Sequence, residues 1–303
     1  MRPGPITLSI AAVERDTGLS KDTLRVWERR YGFPNPGRDG VGERVYTLAD
    51  IERLRLIKRL LDAGHRPGRV VGQPLEHLQA ISEQTVEAPM RAGDVVLGAP
   101  DLREHLDVIR SHDLPRLRSQ LSRLLSRAGV ARFVTDVVGP LNAAVGDAWL
   151  RGQLEVFEEH LYTEAMQAVL RSAIASVPEP AADDAPRVLL TTFPGEPHGL
   201  GLLMAEAILA LEGCRCVSLG TQTPLWDVVL AAQALRSDIV ALSFTGCMNP
   251  NQIADGLAEL RGKLPPGVRL WAGGSAPVLQ RRPIAGVEAF GSLHDVAAAL
   301  GRR

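Results

Sequence analysis

Cysteine is scarce in this 303-residue chain, which holds three, at positions 214, 216 and 247. The number is odd and the spacing fits no zinc or redox motif, so buried thiols in a reducing compartment are expected. Long apolar runs are missing too. None approaches the roughly 20 residues that cross a bilayer, and no membrane association is expected. The start, Met1-Arg-Pro-Gly-Pro5, lacks the apolar core of a signal peptide, and a cytoplasmic protein is expected. Net charge is nearly absent, at −1, but it is unevenly placed. Residues 1–75 hold 14 Lys and Arg against 9 Asp and Glu, whereas the remainder holds 20 against 26. A basic first quarter on an acidic body points to a nucleic-acid module carried by something else. With 45% hydrophobic and 23% charged residues the chain is foldable, and its length allows two or three domains.

Ile6 to Tyr31 has the pattern helix, tight turn, helix: Ser9–Arg15, then Asp16-Thr-Gly18, then Lys21–Tyr31 capped by Ser20. Val13, Leu19, Leu24 and Trp27 supply a small core, and Arg25, Arg29 and Arg30 leave from other faces. Gly32–Tyr46 reads as two short strands around a glycine-rich tip, a ribbon able to lie along a phosphate backbone with Arg38 and Arg44 facing it. Thr47 caps a helix over Leu48–Ala63, ended by Gly64. Pro67, Gly68, Gly72 and Pro74 then interrupt the chain, which argues against a long dimerisation helix. Glu83–Pro100 reads as a linker. Leu102–His112, Leu114–Ala128, Ala131–Arg151 and Leu154–Ser176 have helical apolar spacing with short breaks, the signature of an up-down bundle. A second linker covers Val177–Pro186.

From residue 187 onward, β-branched runs alternate with helical stretches. Strands are predicted at 187–192, 215–219, 239–243, 269–272 and 287–290, all parallel by the right-handed crossover rule. Helices are predicted near 202–212, 224–236, 251–263 and 292–300. The first strand runs into Phe193-Pro-Gly-Glu-Pro-His-Gly-Leu-Gly201, which opens the first of these helices. In doubly wound sheets ligands bind at such carboxyl ends. The loop holds one imidazole, His198, with Glu196 placed to orient it and Gly201 able to admit a close approach.

Glu196-x-His198-x-x-Gly201, followed by Ser243 after one strand and Gly273-Gly274 after another, resembles the cobalamin-binding domain shared by methionine synthase and the base-off mutases. The resemblance covers about residues 186–303. It implies that His198 is the lower axial ligand of cobalt with Glu196 behind it, and that Ser243, Gly273 and Gly274 line a slot for the nucleotide tail. Leu24-Arg-Val-Trp-Glu-Arg-Arg-Tyr-Gly-Phe33, with Arg44-Val-Tyr-Thr-Leu-Ala-Asp-Ile51, resembles the winged helix-turn-helix of the MerR transcription regulators. That implies a recognition helix Lys21–Tyr31, with Arg25, Arg29, Arg30 and Tyr31 on bases and phosphates, and with Arg38, Arg44 and Tyr46 holding the wing. Trp149, Glu159 and His160, spaced Trp-x9-Glu-His, resemble the upper-face motif of the MerR-family adenosylcobalamin photoreceptor repressors that control carotenoid genes. In those proteins the Trp packs on the adenosyl group, with the Glu and His beside it, and in the best-known members the residue after the Trp is a His that captures cobalt after illumination. Here that residue is Leu150, which cannot ligate.

The expected architecture is multidomain α and α/β: a winged helix-turn-helix over 1–82, a four-helix bundle over 101–177 and a five-stranded, doubly wound, Rossmann-like cobalamin-binding domain over 186–303. The expected function is that of a light-responsive repressor, not an enzyme, binding a double-stranded DNA operator as a dimer or tetramer set by adenosylcobalamin. Two alternatives stay open. The same scaffold can sense cobalamin without light or hold a bilin, or the C-terminal half can be a corrinoid carrier for a methyltransferase or mutase.

Overall fold

The computed structural model describes residues 7–62, 64–86, 99–181 and 184–300. The chain divides into two compact units, one running from the first strand through the fifth helix together with Leu150–Gln153, the other holding the remaining elements.

In the first unit, β1 (Thr7–Ser9) leads into α1 (Ile10–Thr17) and α2 (Lys21–Tyr31). Ser9 and Ser20 each accept a hydrogen bond from a first-turn backbone N–H, and Gly18 and Gly32 close the two helices at positive φ. That serine-start, glycine-stop punctuation is why the helices end where they do. β2 (Gly37–Arg38) and β3 (Arg44–Thr47) form the ribbon, and β1 pairs with β3 to make an antiparallel sheet of order β1-β3-β2. α3 (Leu48–Asp62), α4 (Pro67–Val70) and α5 (Leu75–Val86) follow. Val13, Leu24, Tyr46, Leu54, Ile57, Leu60 and Leu78 are at 0% exposure in one core, each such side chain contributing about 1.5–3 kcal/mol by burial.

The second unit opens with α6 (Ala99–Arg110) and α7 (Leu114–Ala128). α8 (Val130–Arg132), a π-helical turn over Phe133–Val138 and α9 (Gly139–Leu150) come next, then α10 (Val156–Ala175). The single helix expected over 131–151 is therefore interrupted. Pro140 has no N–H to give, and the widened turn, in which the Gly139 N–H reaches Val134 O, accommodates the loss. The linker expected over 83–100 is shorter than that reading, because α5 runs to Val86 and α6 begins at Ala99. No proline or glycine stands between Glu83 and Val86 to stop α5, and Pro100 falls in the first turn of α6, where its missing N–H is tolerated. The linker's middle, 87–98, lies outside the described residues, as do 182–183 in the second linker and Ala63, the expected end of α3.

The α/β layer runs β4 (Arg187–Thr191), α11 (Leu200–Leu211), β5 (Arg215–Ser218), α12 (Leu225–Ala234), β6 (Ile239–Phe244) and α13 (Pro250–Lys263). It ends with β7 (Arg269–Gly274), α14 (Val278–Arg281), β8 (Val287–Phe290) and α15 (Leu293–Leu300). The five strands are parallel in the order β5-β4-β6-β7-β8. Alternate residues feed opposite faces: Val188 and Leu190 meet a core containing Leu202 and Leu209 of α11, whereas Leu189 meets one containing Val228 and Leu257 of α12 and α13. Both faces of the sheet are covered, which is why its strands read as unbroken apolar runs. α11 is apolar on two sides. Its Leu203, Ala207 and Ile208 belong to the core of the helical bundle, so the bundle and the sheet share this helix.

Candidate functional site

The strand order reverses between β4 and β6, and a ligand crevice is expected outside the carboxyl ends of strands at such a point. The loop after β4 turns at Gly195, with φ of +91°, and Thr192 Oγ1 donates to Glu196 O at 2.6 Å to fix its backbone. Glu196 is 0% exposed. Its carboxylate accepts from His198 Nδ1 at 2.6 Å, from Thr245 N at 2.7 Å and from Thr245 Oγ1 at 2.9 Å. Cys247 Sγ lies 3.4 Å from Glu196 Oε1 and 3.8 Å from His198 Nδ1. Thr245 and Cys247 come from the loop after β6, so the two strands at the reversal build one cluster.

The electrostatics follow from this arrangement. Burial acts to raise the Glu196 pKa, but hydrogen bonds from His198 and Thr245 outweigh it and hold the carboxylate below its usual range. Hydrogen bonding to Cys247 and to Glu196, working against burial, pushes His198 up to about 10. With Nδ1 committed to the carboxylate, Nε2 is the nitrogen left to meet a ligand, and the side chain is 54% exposed. An imidazole pinned from behind by a buried carboxylate is a donor suited to an axial position on a metal.

Gly201, Ser243, Gly273 and Gly274 lie close to one another. Ser243 pairs with Gly273 across β6 and β7, and Phe244 with Gly274. A methyl group added at Gly201 would sit 2.6 Å from Ser243 Oγ, and one at Gly274 only 2.1 Å from Phe244 O. Side chains are therefore excluded at both positions, and the β4 loop, β6 and β7 pack closely at the strand ends. A second group lies on the helical bundle. Trp149 is half-buried against its core near the end of α9. Glu159 on α10 accepts from Thr163 Oγ1 at 2.6 Å, and the exposed His160 Nε2 is 3.7 Å from Glu159.

In the first unit, Arg25, Arg29 and Arg30 are exposed on α2. Arg25 reaches Asp22 at 3.4 Å, Lys21 reaches Glu14 at 3.4 Å and the Arg30 guanidinium lies 5.4 Å from the Tyr31 ring. On the ribbon, Arg38 donates to Gly42 O at 2.6 Å.

The family model "MerR HTH family regulatory protein" matches residues 8–71, and "B12 binding domain" matches residues 102–173. The HTH-type transcriptional repressor CarH of Myxococcus xanthus is 33% identical over 263 residues, covering 86% of each chain. CarA of the same organism, also an HTH-type transcriptional repressor, is 30% identical over 260 residues, covering 84% of this chain and 82% of its own. The chain belongs to the CarH and CarA family. Among solved structures, the Methanosarcina barkeri monomethylamine corrinoid protein matches with a TM-score of 0.51 and 18% identity, covering 65% of this chain and 95% of that one. That likeness shows the fold of the second unit. This CarH/CarA-type chain is thus a DNA-binding transcription regulator built on a MerR module, and its cofactor class is cobalamin. No helix among the described residues is long and apolar enough to cross a membrane.

Within this family member, two expected wing contacts sit differently from the sequence reading. Tyr46 is wholly buried, its hydroxyl without a hydrogen-bond partner, so it packs the core and is not open to a DNA backbone. Arg44 is half-buried and forked onto Glu28, with Nε at 2.9 Å and Nη2 at 3.3 Å. It ties the ribbon to α2, so its guanidinium is committed to Glu28 although the side chain is 30% exposed. Thr245 and Cys247 escaped the sequence reading, which stopped at Ser243. The signal for them was their position one and three residues beyond the end of β6, facing the His198 loop across the reversal point. The expectation of buried thiols holds for Cys214 alone. Cys216 and Cys247 are half-buried, and Cys247 lies in the site.

Proposed function

We propose that this CarH/CarA-type chain is a light-responsive transcription repressor that uses adenosylcobalamin as chromophore and effector. The observation that carries the reading is the 2.6 Å contact of His198 Nδ1 with the fully buried Glu196, which leaves Nε2 as an oriented axial donor. His198 would hold the cofactor from below, Ser243, Gly201, Gly273 and Gly274 would flank its nucleotide tail, and Trp149, Glu159 and His160 would meet its upper face. Bound there, adenosylcobalamin supplies a Co–C bond that green or shorter light cleaves.

The chain's own contribution is a rigid link. α11 starts two residues after His198 and buries Leu203, Ala207 and Ile208 in the bundle core on which Trp149 also packs. Occupancy at the strand ends and the placement of the Trp149 helix therefore act on one packed body. A cofactor state that favours one bundle arrangement shifts the population of homo-oligomers, and with it the number of MerR modules delivered to an operator in the cytoplasm. Arg25, Arg29, Arg30, Tyr31 and Lys21 on α2, with Arg38 on the ribbon, form the DNA face. Leu150 stands where the photoreceptor repressors carry a capturing His and has no lone pair to offer cobalt. The wild type is therefore expected to lose cofactor after illumination, and Leu150→His to retain it.

The experiment is to load the full-length chain with adenosylcobalamin in the dark and record absorption, oligomer size and operator binding before and after green light. A cobalamin spectrum with light-dependent loss of DNA binding is expected. Unchanged DNA binding after complete photolysis, or uptake of a bilin in place of a cobalamin, would overturn the proposal.

A further inference from the structure

The cluster joining the β4 and β6 loops has a capacity that the cobalamin reading leaves unused. Four donor atoms converge there: His198 Nδ1, Glu196 Oε1, Thr245 Oγ1 and Cys247 Sγ. The six distances among them run from 2.6 Å for Nδ1 to Oε1, through 3.1 and 3.2 Å for Thr245 Oγ1 to Oε1 and to Nδ1, and 3.2 Å for Oγ1 to Sγ. Sγ then lies 3.4 Å from Oε1 and 3.8 Å from Nδ1. Bonds of about 2.0–2.3 Å to nitrogen, oxygen and sulfur imply a tetrahedron with edges of roughly 3.3–3.7 Å around zinc(II). Five of the six edges already lie near that range, and only the Nδ1–Oε1 edge has to open.

The hydrogen bonding is also crowded. Glu196 Oε1 is approached by His198 N at 3.2 Å and by Nδ1, Thr245 Oγ1 and Cys247 Sγ. The Thr245 hydroxyl has one hydrogen and lies nearer to Oε2, at 2.9 Å, so three donors are left for an oxygen with two lone pairs. The thiol and the imidazole each direct a hydrogen at this atom, and one divalent ion can replace both without changing the net charge of the cluster. Glu196, His198 and Cys247 also come together as the cluster of metal-ligating side chains among the described residues.

We propose that Glu196, His198, Thr245 and Cys247 form a binding site for a thiophilic divalent cation of the zinc(II) class in the cobalamin-free chain. Thiolate and imidazole select such an ion over magnesium or calcium. The ion would take the place of the Nδ1 hydrogen and draw electron density from the ring, making Nε2 the weaker donor. The inference concerns the opposite ring nitrogen from the cobalamin reading and stands whether or not His198 carries cobalt.

The test titrates cobalt(II) into the reduced, cobalamin-free, full-length chain. A near-ultraviolet thiolate-to-metal charge-transfer band that saturates at one equivalent and is displaced by zinc is expected. Cys247→Ser should abolish the band, whereas the Cys214→Ser/Cys216→Ser double variant should keep it. On the unsubstituted chain, one equivalent of zinc should slow alkylation of Cys247, followed by mass spectrometry, by about tenfold or more. Absence of the band at one equivalent, its survival in Cys247→Ser, or an unchanged alkylation rate overturns the site. None of these readings depends on cobalamin uptake, so they separate this site from the cobalamin proposal.

Discussion

Helix α2 and the His198 loop would both present basic nitrogens to the proposed ligands, by opposite means. On α2 the arginines are long, exposed and lightly held, Arg25 by a 3.4 Å contact to an exposed Asp22. Behind His198 a carboxylate at 0% exposure is fastened by Thr245 and the loop backbone before it touches the ring. The difference fits the proposed ligands. A DNA backbone is a periodic anion that tolerates several side-chain poses, and its attraction is summed over many phosphates. A single axial bond from His198 would leave no such tolerance, and a ring oriented in advance suits it.

The sharpest break in this comparison comes from His198→Ala. It removes the only imidazole in the loop, and cobalamin affinity should fall by more than about 100-fold, since even orienting partners are worth 10–100-fold. Equilibrium dialysis with absorption spectroscopy reads this, and DNA binding by cofactor-free protein should be untouched. Next, Arg25→Ala or Arg29→Ala should weaken operator binding by about 1–3 kcal/mol for each base the arginine reads. A filter or anisotropy assay at fixed salt measures it, with cofactor uptake unchanged. Operator binding that survives both changes would show that α2 is not the reading helix.

Glu196→Gln sharpens the comparison, because it keeps size and loses charge. A drop of about 10-fold in cofactor affinity is expected, smaller than that of His198→Ala, together with a shifted cobalamin spectrum. The smallest effect concerns protons. In cofactor-free protein the His198 ring should titrate near 10 in place of 6.5, as followed by imidazole nitrogen chemical shifts. Because the folded value is the raised one, its contribution to stability is complete below about 6.5 and is lost as pH rises through about 10. A His198 that titrates near its ordinary value would mean that its hydrogen bonding to Cys247 and Glu196 is absent in solution.

Much of this arrangement is written locally. Ser20 and Gly32 bracket α2, Pro and Gly stop α3 before a long coiled coil, and β-branched runs alternating with helical ones set a parallel sheet. Chain order together with the right-handed crossover then places Glu196-x-His198 at a strand end. Each of these depends on backbone preferences or on side-chain periodicity within a dozen residues, so the sequence alone determined it. The interruption of the 131–151 helix was also implicit in Pro140, although only a turn one residue wider could keep the helix running.

Other features needed the chain to be packed. Tyr46 and Arg44 look like wing residues in sequence, but Tyr46 fills the core and Arg44 is claimed by Glu28, sixteen residues earlier. Cys247 fits no zinc spacing along the chain, yet it comes to stand beside Glu196 and His198 across 51 and 49 residues. That meeting is decided by the hydrogen-bonded neighbourhood of β4 and β6 in the sheet, a pairing between strands about fifty residues apart. Local preference says where a strand ends. Only the tertiary pairing says which other strand ends beside it, and so which side chains share one carboxylate.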